Sequence, residues 1–209
     1  MSNTKTPIRL VGSKSRIAKK ILEHMKGLGG EVFIDVFGGS GAMTAAAGEH
    51  YHKLIYNDID EDLWTFYSVL RNDQERRQLF RILQTMPMSR QGFRELSQIY
   101  EASNFSFSRM PRVERAAAIF YRSAFCYGGK ISTGGFSCSA SDRTFIKERA
   151  SYHGRLRLLG RFAQFWKLVT LESLSFDQLI GVYSRRDNTV FYCDPPYFGT
   201  ESYYSRGFG

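Results

Sequence analysis

Cysteine is scarce in this 209-residue chain, and its placement excludes two classes of protein. Cys126, Cys138 and Cys193 form an odd set without Cys-x-x-Cys spacing, so no disulfide framework is supported. His24, His50, His52 and His153 do not cluster with them, and no metal site is expected. Long apolar runs are also missing: none approaches the roughly 20 residues that span a bilayer. Met1 to Arg9 is polar and lacks the apolar stretch of a secretory signal. A cytoplasmic, membrane-free monomer is the resulting expectation. Acidic residues are the last shortage, 20 against 29 Lys and Arg, and the deficit is local. Between Arg71 and Arg161 there are 17 basic and 7 acidic residues, whereas the rest of the chain is nearly neutral with 12 against 13. A phosphate-contacting surface needs that asymmetry, because each neutralised phosphate releases counterions.

What the chain does have is aromatic and aliphatic bulk, 43% hydrophobic in total, enough to bury the core of one domain with an insertion. Two of its five prolines are adjacent, and they mark the most informative stretch. Asn188 to Tyr192 reads as a strand buried on both faces. Pro195 and Pro196 cannot donate to a ladder, so the strand is expected to end at Asp194. An acid is thereby set at the carboxyl edge of a parallel sheet, where ligands bind in open α/β folds.

Asp194-Pro195-Pro196-Tyr197 resembles the catalytic motif of methyltransferases that act on exocyclic amines. Such an amine is a poor nucleophile because its lone pair is delocalised into the ring. Acceptors at Asp194 and the Pro195 carbonyl would hold both N–H groups and favour a pyramidal nitrogen, a gain made mostly of positioning and charge stabilisation. Tyr197 would stack on the base once it is flipped out of the duplex.

Upstream, Glu31 to Asp35 reads as a strand that passes into Val36-Phe37-Gly38-Gly39-Ser40-Gly41 and a small-residue helix from Ala42 to Gly48. A second strand, Lys53 to Asn57, ends at Asp58, about twenty residues beyond the glycine turn, where an acid can take both ribose hydroxyls of an adenosyl group. Asp58 can also cap the helix that begins near Ile59. Before these, residues 7 to 12 read as an extended lead-in, and Ser13 or Ser15 as the cap of a helix running to about Leu28, with Gly29-Gly30 ending it.

In this order the motifs resemble the Dam-type, D12-class DNA adenine N6-methyltransferases: Gly12 and Lys14 in the lead-in, Asp35 to Gly41, Asn57-Asp58, and Asp194 to Tyr197. The resemblance spans nearly the whole chain. It implies a Rossmann-like α/β fold binding S-adenosylmethionine, with a helical DNA-recognition domain inserted. It implies cofactor contacts at Leu10, Gly12, Lys14, Asp35, Phe37, Gly39, Gly41, Asp58, Phe176 and Asp194, and double-stranded DNA as partner. Departures from the family pattern are Leu10 where an aromatic is usual, Asp35-Val36 where Glu-Pro is usual, and Ser175-Phe176 where an Asp-Phe pair is common.

The expected division is a catalytic and cofactor-binding domain from 1–62 and 148–209, with a target-recognition domain over 63–147. Helical periodicity runs from Leu63 to about Phe125. Cys126 to Phe136 carries two glycine pairs around a β-prone centre, which predicts a hairpin. Tyr127, Lys130 and Arg143 there are the candidate DNA contacts, and Tyr127-Gly128-Gly129 departs from the family's Tyr-Asn-Gly. A helix over 147–163, a strand over 168–171 and a short helix from Ser175 are expected to lead back to the sheet. Tyr203 to Gly209 resembles the loop after the catalytic motif, where family members continue with a helix and the last strands. A fragment, or a truncated form of low turnover, is therefore expected. Methylation of a cytosine amine or a glutamine amide, and a non-catalytic DNA-binding role, stay open as alternatives.

Overall fold

A computed structural model describes residues 5–131, 134–137 and 142–196, without the side chains of 142–148. Four strands, β1 (Val32–Asp35), β2 (Lys53–Asn57), β3 (Val169–Glu172) and β4 (Thr189–Tyr192), form one parallel sheet in the order β3-β2-β1-β4. Parallel neighbours require crossover connections, and helices supply them: α2 (Ala42–Ala47) joins β1 to β2, and α8 (Phe176–Tyr183) joins β3 to β4. In register, Asp35 stands opposite both Tyr56 of β2 and Tyr192 of β4. The chain departs to one side of β1 and returns on the other, so the crevice at the carboxyl ends of β1 and β4 is the switch point of the sheet.

Apolar side chains cover the sheet on both faces, as continuous hydrophobic strands require. On one side Phe33, Leu54 and Tyr56 join a core that extends through the helical region, and on the other Ile34, Val36 and Ile55 pack with Leu179 and Tyr183. Among the described residues β4 pairs on one side only, with β1.

Between β2 and β3 lie α3 (Glu61–Arg71), α4 (Asp73–Thr85), α5 (Arg90–Ala102), α6 (Arg112–Phe125) and α7 (Asp142–Trp166). Asn72 and Ser89 cap α4 and α5 through their side chains. Buried Asp62 of α3 accepts from the Phe107 N–H at 2.9 Å and from Arg115 of α6, which ties the inserted helices to the start of the insert. Trp166, at the end of α7, packs over Tyr67 and meets Tyr56 edge-on. The core therefore runs without a gap from the sheet into α3, α6 and α7.

Several elements differ from the sequence reading. The first helix, α1 (Ala18–Met25), starts later than Ser13 or Ser15 and continues as a 3-10 turn over Lys26–Leu28. Ser13 does not cap it, because its hydroxyl is 2.7 Å from that of Ser40 in the glycine turn. The last strand stops at Tyr192, two residues short of Asp194. Among the described residues of Cys126 to Phe136, antiparallel pairing is limited to one bridge, Cys126 with Phe136, and a 3-10 turn at Tyr127–Gly129 stands where a longer ladder was expected. Gly128 and Gly129 at φ 66° and 73° impose that turn.

Candidate active site

The glycine turn after β1 is held by groups from β2. Gly38 donates to the Asn57 carbonyl at 2.8 Å, and a Cβ on Gly38 would lie 2.2 Å from the Tyr56 ring. The Tyr56 hydroxyl donates to the Gly39 carbonyl at 2.9 Å, and the Gly39 N–H, with the chain at φ 50°, donates to Asp58 Oδ2 at 2.7 Å. Asn57, itself buried, donates to the carbonyls of Val36 and Leu174 and accepts from the Leu174 N–H. It thus pins the loops after β1 and β3 to the end of β2. Periodicity gave no sign of this work, although the Asn57-Asp58 pair was visible.

Asp60, not Asp58, caps α3, accepting from the Asp62 N–H at 2.9 Å. Asp58 is left facing the cleft, each oxygen taking one backbone N–H, Oδ2 from Gly39 and Oδ1 from Asp60. Burial, reinforced by the charge of Asp60, pushes its carboxyl up to about 7. Asp35 is fully buried, and its Oδ2 accepts from the Thr44 hydroxyl at 2.7 Å and the Thr44 N–H at 3.1 Å. Burial outweighs those bonds and raises it to about 6, with the Asp194 charge adding to the rise. Across the crevice, Asp194 is bridged to Lys14 Nζ at 2.5 Å.

One cleft collects most of the sequence-predicted residues: Leu10, Gly12, Lys14, Asp35, Phe37, Gly39, Asp58, Asp194 and Pro196 all line it. Five others stand elsewhere. Gly41 packs against Trp166, 2.5 Å from where a Cβ would sit, so its glycine serves packing. Phe176 lies outside the lining, half-exposed, with its ring 6.3 Å from that of Phe37. Pro195 is outside the lining, as is Tyr127, which is solvent-exposed. Lys130 is half-buried, its carbonyl accepting from the Cys126 thiol and the Gly134 N–H. Tyr197 lies outside the described residues, as does the side chain of Arg143.

The opposite wall was not legible from sequence patterns. Tyr100 of α5, Ile119 of α6, and Gly129 and Ile131 of the turn segment close the cleft from the inserted helices. Buried Arg122 fixes this wall. It donates to the Ile131 carbonyl and to Ser97 Oγ, and its guanidinium stacks 4.9 Å from the Phe93 centroid and 5.0 Å from that of Tyr100. Gly129 meets the lead-in directly, accepting from the Val11 N–H at 3.1 Å, and a Cβ there would lie 3.1 Å from the Leu10 and Val11 backbone.

A parallel sheet with a glycine turn at its switch point and acids after three neighbouring strands defines a Rossmann-like domain of the methyltransferase kind, with a helical insert roofing the site. Comparison with protein families narrows that class. The model of the D12 class N6 adenine-specific DNA methyltransferase family matches residues 11–207, and the chain belongs to that family. Its activity is methylation of adenine N6 in DNA. No curated protein matches the chain closely enough to count as a relative. Among the described residues no helix is long and apolar enough to cross a membrane, and no group of side chains is arranged to hold a metal.

Proposed function

We propose that the cleft takes S-adenosylmethionine and a flipped adenine side by side, the cofactor over the glycine turn and the base against Asp194. The convergence of Asp58, Asp35 and Asp194 on one cleft, with Lys14 on the last of them, carries this reading. The donor set fits an adenosyl group. Each Asp58 oxygen keeps a lone pair for a ribose hydroxyl after its backbone bond, and the nearest side-chain atom over Gly39 is 3.8 Å from where a Cβ would sit. When bound, the cofactor supplies the methyl sulfonium that accepts the amine lone pair.

The chain's own residues do the rest. Asp194 and the Pro195 carbonyl accept the two N–H groups of the amine and orient its lone pair, with Lys14 holding the carboxylate in place. The roof of Tyr100, Ile119 and Ile131 excludes water, so these bonds act in a low-dielectric space. Tyr197 stacks on the base. Residues 63–147 form the recognition unit, with Tyr127, Lys130 and Arg143 toward the duplex.

The test is product analysis. Unmethylated duplex DNA incubated with the protein and methyl-labelled cofactor, then digested, should yield labelled N6-methyladenosine by mass spectrometry. Label on cytosine, or no label at all, contradicts the reading. Lys130→Ala and Arg143→Ala should each weaken DNA binding: a base-edge contact loses preference at one position, a phosphate contact weakens all sequences alike. Unchanged affinity, salt dependence and site preference in both would remove this segment from the interface.

A further inference from the structure

We propose that Arg155 of α7 and Arg9 of the lead-in form a phosphodiester site at the rim of the cleft, which takes a backbone phosphate of the substrate DNA beside the flipped nucleotide. This rests on the functional reading above and adds a binding site outside the residues it uses.

The observation is a cation without an acceptor. Nε and Nη1 of Arg155 are sealed from solvent and make no hydrogen bond. Its guanidinium lies 5.5 Å from the Phe120 centroid, but a ring face leaves the in-plane N–H donors unsatisfied. The other buried arginines differ. Arg115 pairs with Asp62, which leaves only its Nη2 sealed without a hydrogen bond, and Arg122 donates to Ile131 and Ser97. Among the described residues neither Arg155 nor Arg9 has a carboxylate partner. A buried unpaired cation is among the costliest placements in a fold, and here a second cation makes it worse. Burial first, then the nearby charge of Arg9, lowers Arg155 to about 10.

An arriving anion offsets the unpaired charge of Arg155 and the repulsion between the two cations. Guanidinium N–H groups bind phosphate oxygens through charge-assisted hydrogen bonds, and residue 155 is only partly covered, so an anion meets it at Nη2, the nitrogen that is not sealed. Position names the anion. Arg9 adjoins Leu10 and Phe120 adjoins Ile119, and both neighbours line the cleft. The negative charge that must come to that rim with a target base is the base's own backbone.

The experiment uses the full chain, wild type and Arg155→Met. DNA binding is followed over a salt series, with single neutral methylphosphonates placed around the adenine that product analysis finds methylated. Thermal melting and S-adenosylhomocysteine binding run alongside. R155M should weaken DNA binding about 10-fold or more, lower the salt slope by about one, and leave cofactor affinity and melting temperature unchanged or raise the latter. One neutral linkage should weaken wild type and leave R155M unaffected. A lowered melting temperature with unchanged DNA affinity and slope would make Arg155 a packing residue and overturn the site. If R155M does not fold, Arg9→Gln, at an exposed position, should lower the slope in the same way; an unchanged slope there overturns the site too. Wild type that methylates adenine while R155M binds DNA equally well overturns the site alone. Wild type that neither binds nor methylates DNA overturns the functional reading with it.

Discussion

The floor and the roof of the cleft are held by opposite means. The floor is polar and belongs to the sheet: Asp35, Asp58 and Asp194 follow adjacent strands and are fixed by backbone N–H groups, a threonine and a lysine. Tyr100, Ile119 and Ile131 make the roof largely apolar, and one buried arginine stacked between two rings fixes it. The floor carries groups that can bind a nucleoside and orient an amine, whereas the roof carries none and decides what fits above them. On the proposed reading chemistry and admission belong to separate parts of the chain, which meet where Gly129 touches Val11.

Breaking the floor should have the largest effect. Asp194→Ala removes the acceptor proposed for the reacting amine, and methyl transfer measured in single turnover should fall by about 10³-fold or more, comparable to losing a group that stabilises a transition state. A loss below about tenfold would take Asp194 out of the chemistry.

Breaking the roof should read first as stability. Arg122→Met leaves the Ile131 carbonyl and Ser97 without their donor, at a cost of about 1–3 kcal/mol for the unsatisfied groups. The melting temperature should drop by several degrees, and in the folded fraction KM for cofactor should rise more than kcat falls. An unchanged melt and KM would show that the roof does not depend on Arg122.

The two regions also differed in how far they could be read in advance. Each floor residue ends a local pattern, such as the strand and turn before Gly39 or the strand before the proline pair, so its position follows from nearby sequence. Tyr100 and Ile119 sit in the same 3.6-residue periodicity as core residues, and spacing along a helix does not distinguish a cavity wall from a packed interior. Tertiary competition accounts for the local misses. Ser13 is drawn to Ser40, Asp60 caps α3 in place of Asp58, and the two left-handed glycines of Gly128-Gly129 favour a turn where a ladder was expected. Gly39 and Gly41 belong to one motif, yet only the first faces the cleft, because the second is needed to admit Trp166.

A smaller effect sharpens the comparison through pH, since only the floor titrates near neutrality. Asp58 has an ordinary value of 3.8 and is held at about 7 in the folded chain. The folded state therefore keeps a proton that the unfolded state has lost, and the cofactor-free protein should become less stable as pH rises from about 4 to about 7. Asp35, held at about 6, acts in the same direction over a narrower window. On the proposed reading ribose hydroxyls donate to the ionised Asp58 carboxylate, so cofactor affinity should rise with pH over about 6 to 8, opposite in sign to stability. Chemical denaturation and cofactor titration at matched pH values check both; Asp58→Asn should flatten the affinity profile.

The division of labour within the floor is tested most directly by calorimetric titration of S-adenosylhomocysteine into Asp58→Ala and Asp194→Ala. Asp58→Ala should lose about 1.5–3 kcal/mol of binding, the worth of a charged hydrogen bond, while Asp194→Ala keeps most of the wild-type affinity. Equal and full binding by both variants would contradict the assignment of Asp58 to the cofactor and Asp194 to the amine.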